Sequence, residues 1–320
     1  MSHVSGLPSL TYLVWLEWPE KCFRIDAEAL RFLEAAVAPK GARVMRVRSE
    51  RAFLKALPQA THALVWNFKA EWFAKAPRLK VLATPAAGQE FVPTKGPEGV
   101  KIHFGHYHGT LIAESVLGFM LCWAKGFFAV RNAPAACRDW PRTWLSDKCY
   151  GVGGTKAVIL GYGNVGRAIG AKLAAMGVDV YGLTRHGTFH GNRTVERSDN
   201  LTILREADWL ILALPSTTGT DNLLNAALIR KLPRKCVVIN VGRGNAVDER
   251  ALCQALKAKR LAGAYLDVRK HEPSATVLES SGYVPELADL PNCVVMPHAS
   301  AFSPDYLIHF LRELWDDGCL

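Results

Sequence analysis

The sequence predicts an α/β protein of two domains, each a parallel sheet covered by helices, and three observations carry that reading. Strand-like and helix-like segments alternate through the first third of the chain and again after residue 154. A glycine-spaced turn at 156–166 (KAVILGYGNVG) stands between a short apolar run and a helix-like segment. The last helix candidate, 304–316, has no strand after it. Alternation of this kind marks βαβ units, whose helical crossovers lie on the faces of a parallel sheet.

In the first stretch, strand-like runs fall at 10–18, 42–48, 61–67, 80–87 and 100–105, with helix-like segments at 26–37, 50–57 and 70–76. The most apolar helix candidate, 110–133, contains Glu114, Lys125 and Arg131, which suits a buried or interface helix and not a membrane span. The segment 139–154, rich in Trp, Pro and Gly, reads as an ordered connecting arm. Beyond it come strands near 155–161, 178–184, 209–215, 236–242, 262–268 and 293–298, with helices at 165–176, 226–232 and 248–259. The unfollowed helix 304–316 is expected to return to the first domain and make it discontinuous. The expected boundaries are 1–108 plus 299–320 for one domain and 109–298 for the other, with a dimerisation helix and arm at 110–154.

The turn at 161–166 has the context a dinucleotide fingerprint requires: strand before, helix after, second strand next. Gly161 can turn where a Cβ would clash, Gly163 lets the main chain approach a pyrophosphate, and Gly166 lets the helix lie close on the strand. The amides of Asn164 and Val165 would face the diphosphate at the positive end of that helix. The plain alternative is an ordinary strand-to-helix turn that happens to hold three glycines.

The 320 residues are 49% hydrophobic and 21% charged, a globular composition with room for two cores. The net charge of +10 suits anionic partners. Its basic residues are scattered, not striped, and no nucleic-acid motif accompanies them, so nucleic acid is not expected as a partner. Eight cysteines without a CxxC pair read as thiols of a reducing compartment. The apolar run 10–18 lacks the flanks of a signal peptide. The expected location is the cytoplasm.

Three polar residues fall where strands of the second domain should end, the edge at which open α/β sheets bind ligands. Arg243 follows CVVINVG, Glu272 lies beyond AYLDV in RKHEP, and His298 closes CVVMPH. A guanidinium can hold a substrate carboxylate and polarise the neighbouring carbonyl. A histidine can exchange a proton with the carbonyl oxygen, and a carboxylate can orient the imidazole. Taken singly, each has a structural reading: a strand-end cap, a surface acid, a turn histidine. His271, next to Glu272, is a rival proton donor.

With these residues in hand, the chain resembles the D-isomer-specific 2-hydroxyacid dehydrogenase family, in its glyoxylate/hydroxypyruvate reductase branch. The resemblance rests on GYGNVG, LPSTTGT (214–220), NVGRGNAVDE (240–249), LDVRKHEP (266–273) and MPHAS (296–300), in that order. It implies two Rossmann-like domains: a flavodoxin-like, discontinuous substrate domain and a doubly wound cofactor domain. It further implies Arg243 as the substrate-binding residue, His298 as acid/base and Glu272 as its partner. Asp267 would lie by the nicotinamide carboxamide, Leu214, Pro215, Thr220, Val241 and Gly242 would border the cofactor, and Ala87 and Gly88 would offer amides to the substrate carboxylate. A homodimer, a cleft between the domains and a small 2-keto acid substrate follow from the same resemblance. No metal is implied.

One departure concerns the cofactor. NAD-selective sites place an acid near the end of the second strand to hold the ribose hydroxyls. In VDVYGLTRHG that place belongs to Thr184, followed by Arg185 and His186. No carboxylate is there to repel a 2′-phosphate, and Arg185 can bind one, so NADP(H) is expected to be preferred over NAD(H).

His106 and His108, with Glu114 nearby, have a spacing that permits a zinc site but suits a hinge better. Trp66, Asn67 and Phe68 read either as a wall of the substrate pocket or as core aromatics. The competing functional readings are a cofactor-sensing, corepressor-like binding protein and a phosphoglycerate dehydrogenase-like enzyme. The latter is disfavoured because the residues after His298 are too few for a regulatory domain.

Overall fold

The computed structural model describes residues 10–88, 91–184, 187–190, 193–195, 202–272 and 284–320. In chain order the first elements are β1 (Thr11–Trp15), α1 (Ala27–Val37), β2 (Arg43–Arg46), α2 (Glu50–Ala56), β3 (His62–Val65), β4 (Val81–Thr84) and β5 (Lys101–Phe104). Next come α3 (His108–Ala124), α4 (Phe127–Val130), α5 (Arg142–Ser146), β6 (Lys156–Leu160), α6 (Asn164–Ala175), β7 (Asp179–Thr184), β8 (Gly187–His190) and β9 (Arg193–Val195). The chain closes with β10 (Trp209–Leu212), α7 (Ala226–Ile229), β11 (Val237–Asn240), α8 (Glu249–Lys257), β12 (Gly263–Leu266), α9 (Glu286–Asp289), β13 (Cys293–Val295) and α10 (Tyr306–Asp316). Short 3-10 turns join several of them.

The chain divides into two compact units, 1–108 with 302–320, and 109–301. In the first unit five strands run parallel in the order β2-β1-β3-β4-β5. This is the flavodoxin-like order. Strand β3 is buried along its whole length, as expected of a central strand covered on both faces. Helix α1 starts at Asp26, whose carboxylate accepts the Ala29 amide, a cap worth about 1 kcal/mol. Helix α10 belongs to this unit and turns Tyr306, Leu307, Phe310, Leu311 and Leu314 into it, one apolar stripe at helical spacing.

The second unit holds an eight-stranded sheet, β13-β12-β11-β10-β6-β7-β8-β9. The six strands from β13 to β7 are parallel, and β8 and β9 form an antiparallel edge. Successive strands β6 and β7 pair on one side, while β10 pairs with β6 on the other. That reversal is the switch point at which doubly wound sheets open a crevice at their carboxyl edge.

One expectation needs correction, and one pair of strands is new. The helix expected at 110–133 is not continuous: α3 ends at Ala124, Gly126 takes a left-handed conformation (φ 72°), and α4 is a separate turn. A Cβ at Gly126 would lie 2.8 Å from Leu145 and 3.0 Å from the Cys149 sulfur, so the bend accommodates the arm folding back on it. The β8–β9 pair was not expected at all. Its Gly191-Asn192 dipeptide, between paired His190 and Arg193, is the hairpin signal that could have revealed it.

Candidate active site

The glycine turn sits at the switch point. Gly161 follows β6 with φ 91°, and its amide donates to Leu183. A side chain there would meet the Ala213 carbonyl at 2.5 Å, and one on Gly166 would meet the Gly161 carbonyl at 2.2 Å. Gly163 differs: beyond its chain neighbours, no described residue lies within 4 Å of the position its Cβ would take. Gly163 and Asn164 are exposed, Val165 is half-buried, and no side chain caps the start of α6. An uncapped helix N-terminus beside an open glycine is a cradle for a diphosphate, so these residues fit a dinucleotide. Thr184 ends β7 one strand away. Arg185 and His186 lie outside the described residues.

The next strand ends form the other bank of the crevice. The Val241 amide donates to Leu212 at 3.0 Å, and a Cβ on Gly242 would lie 2.5 Å from the Leu214 nitrogen. Leu214 is half-buried and Pro215 exposed, so both are available to a ligand. Thr220 is buried, and its hydroxyl donates within its own loop, to Pro215 at 2.8 Å and Thr217 at 2.9 Å. It orders the loop bearing Pro215.

Arg243 leaves the end of β11 on a turn held by Asn240, which is fully buried. The Asn240 side chain accepts the Gly242 amide at 3.2 Å and donates to the Arg243 carbonyl at 3.2 Å. Glu272 and His298 meet: Nδ1 of His298 lies 3.0 Å from a Glu272 carboxylate oxygen. Nδ1 is thereby committed, and Nε2 is the ring atom left for a substrate oxygen. His271, the rival from sequence, has no part in this contact.

His298 is held by Asp267. The His298 amide donates to the Asp267 carbonyl at 2.8 Å. The Asp267 carboxylate accepts the amides of Ala299 (2.9 Å) and Ser300 (3.0 Å). His298 consequently sits in the left-handed region (φ 55°), an uncommon conformation for a residue with a Cβ. The Ser300 hydroxyl meets the Tyr265 hydroxyl at 2.7 Å, and the Ser300 carbonyl accepts from Ser115, so the loop is tied on three sides.

The titration behaviour follows from these contacts. The hydrogen bond to Glu272 raises the His298 pKa above the ordinary 6.5; burial and Arg243 oppose it, while the charges of Glu272 and Asp267 assist. Burial works against ionisation of Glu272, but the bond and charge of His298, with Arg243, outweigh it and the pKa is lowered. Burial raises the Asp267 pKa despite the Ala299 and Ser300 amides. Arg243, Glu272 and His298 share one recess of about 310 Å³ with Ser216, Asn245 and Lys270. A cation that can hold a carboxylate thus stands with an imidazole biased towards its protonated form, which is the equipment for reducing a carbonyl beside a carboxylate.

In the first unit, Ala87 is exposed and Gly88 half-buried in the turn after β4. Trp66 and Phe68 are 7% and 3% exposed; Phe68 joins the core, and the Trp66 indole donates to the Phe23 carbonyl. The core reading of these two aromatics holds. The His108 ring meets the Tyr306 hydroxyl at 2.7 Å and Glu114 pairs with Lys172, while the His106 amide donates to Glu313. His103, Glu313 and Asp317 bring ligand atoms within 4.8 Å of one another. Glu313 faces Nε2 of His103 and Asp317 faces Nδ1, so the imidazole bridges two acids instead of joining them around one ion.

Sequence reasoning gave no role to Asn240, Glu249, Arg269 and Ser300. All four lie inside the quoted motifs, and only their burial distinguishes them.

The family model for the D-isomer specific 2-hydroxyacid dehydrogenase, NAD binding domain, matches residues 117–300. The glyoxylate reductase of Pyrococcus horikoshii is 32% identical over 244 residues, covering 73% of this chain and 70% of that protein. The glycerate dehydrogenase of Methylorubrum extorquens is 28% identical over 256 residues, 78% of each. Among solved structures, the NAD complex of a D-isomer specific 2-hydroxyacid dehydrogenase from Lactobacillus delbrueckii ssp. bulgaricus is similar in fold, with TM-score 0.77 at 18% identity over 97% of this chain and 96% of that one.

Proposed function

The chain belongs to the D-isomer-specific 2-hydroxyacid dehydrogenase family, and from that premise we propose that it reduces a small 2-keto acid, of the glyoxylate or hydroxypyruvate kind, to the D-2-hydroxy acid with NADPH. The observation that carries the reading is the 3.0 Å contact of Glu272 with His298 in one recess with Arg243. Arg243 holds the substrate carboxylate through its fork of donors and draws electron density from the adjacent carbonyl. His298 Nε2 gives its proton to the carbonyl oxygen, and Glu272 stabilises the imidazolium beforehand. When bound, the reduced nicotinamide supplies the hydride that the carbonyl carbon takes up. In the oxidative direction His298 starts neutral and receives the hydroxyl proton.

The substrate class is supported by the names of relatives: glyoxylate reductase, glycerate dehydrogenase, and glyoxylate/hydroxypyruvate reductase B of Pectobacterium carotovorum, 32% identical over 242 residues. The NADPH preference is supported by Thr184 at the end of β7 and by the Arg-His that follows it in sequence. Initial rates with glyoxylate, hydroxypyruvate and pyruvate, each with NADPH and NADH, test both. Failure of every keto acid despite tight cofactor binding would favour a cofactor-sensing binding protein.

The enzyme works as a homodimer in this reading. Its support is the set of exposed apolar side chains on one stretch: Phe127 (62%), Trp140 (78%) and Tyr150 (41%). Light scattering on the purified protein and on Trp140→Glu tests it, with dissociation expected for the variant.

A further inference from the structure

Arg269 lines the recess and forms an ion pair with Glu249 behind it, each side chain 5% exposed. Nε and Nη2 of Arg269 donate to the two carboxylate oxygens at 3.0 and 2.9 Å. Nη2 also donates to the Val284 carbonyl at 2.8 Å, and Glu249 accepts the Lys270 amide at 2.7 Å. The carboxylate opens α8, where the helix end favours negative charge.

The placement of the pair matters more than its strength. Glu249 follows the turn that carries Arg243, and Arg269 stands three residues before Glu272. These two segments touch backbone to backbone: a Cβ on Gly244 would lie 1.9 Å from the Arg269 carbonyl carbon. Replacing a buried pair by apolar side chains usually costs little stability, so burial alone gives no reason for charges here. The fork does what apolar groups cannot, fixing direction as well as distance.

We propose that Glu249 and Arg269 are a positioning pair that sets Glu272 against His298 and holds Arg243 in register with both. The proposal rests on the reductase reading above. Neither residue is placed on the substrate; each acts through the segment it holds.

The test uses two variants of the full chain. Arg269→Lys keeps the charge but loses the fork, and Glu249→Met/Arg269→Met removes both charges without stranding either one. Thermal melting identifies folded protein. Two readouts then go beyond structural integrity. One is the His298 imidazole titration by NMR without cofactor, where Glu272, Asp267 and Arg243 are the charged groups facing the ring. The other is kcat with the cofactor Kd measured separately.

In folded variants the titration is expected to fall towards that of an ordinary histidine, with kcat reduced about 10- to 100-fold and the cofactor Kd unchanged. Wild-type titration and wild-type kcat in either folded variant would overturn the proposal. If the native protein reduces no 2-keto acid, the functional reading fails, while the NMR titration still decides the role of the pair.

Discussion

Asp267 holds His298 in place through the backbone: the Asp267 carbonyl accepts the His298 amide at 2.8 Å, and its carboxylate accepts the two amides that follow. An imidazole at φ 55° is thereby aimed by a buried acid that need never touch it.

Asp267→Ala is expected to lower kcat about 10- to 100-fold, because a displacement of the proton donor by an ångström suffices for that. It also strands the buried Ser300 amide, at about 1–3 kcal/mol, which a lower Tm will report. Unaltered kcat would mean that the loop holds its shape without the clamp.

The pH dependence has a definite sign. In the proposed mechanism reduction needs His298 protonated, so kcat/KM is expected to be level below the folded-state pKa and to fall as pH rises through it. Glu272 raises that pKa above 6.5, which sets the falling limb on the alkaline side of an ordinary histidine. Glu272→Gln removes the charge and moves the limb to lower pH. The pH profile of kcat/KM for both proteins checks this, and superimposable profiles would remove Glu272 from the mechanism. Both side chains are about half exposed (51% and 44%), so the contact tunes a proton and contributes little to stability.

Two glycines separate the fold from the cofactor site. Gly161→Ala forces a side chain to φ 91° against the Ala213 carbonyl, and should cost about 1–3 kcal/mol and lower Tm. Gly163→Ala meets no described residue within 4 Å beyond its chain neighbours, so Tm should stay and the cofactor Kd rise about tenfold or more. Calorimetry of the two variants checks both halves. A Gly163→Ala protein with native cofactor affinity would move the diphosphate elsewhere.

Much of this was legible from residue order. Motif spacing placed Arg243, Glu272 and His298 at strand ends, since a parallel sheet delivers successive strand termini to one edge. The switch point was legible in the strand–glycine–helix context. What escaped notice was non-local. The resemblance places Asp267 by the nicotinamide carboxamide; the structure adds that its carboxylate accepts the Ala299 and Ser300 amides, 32 and 33 residues away. Nothing in the sequence assigns Arg269 a role, because its partner lies 20 residues earlier. The break at Gly126 was hidden because apolar residues continue on both sides of it, and only the left-handed turn against Leu145 ends the helix.

The proposed choice of NADPH rests on the end of β7. Thr184→Asp places a carboxylate where a ribose 2′ position is expected, and should turn the preference from NADPH towards NADH by about tenfold or more. Paired kcat/KM values for the two cofactors measure it. A native preference for NADH would reverse the assignment of this strand end.

The joint action of Arg243 and His298 on one carbonyl is tested most directly by a single turnover. Reduced cofactor is held on excess enzyme, glyoxylate is added, and the nicotinamide absorbance is followed for the native protein, Arg243→Ala and His298→Ala. The account predicts rapid loss of absorbance in the native protein. Both variants should bind cofactor normally yet lose about 10³-fold or more in rate, with extra glyoxylate recovering part of the loss for Arg243→Ala only. Native-like decay in either variant would contradict it.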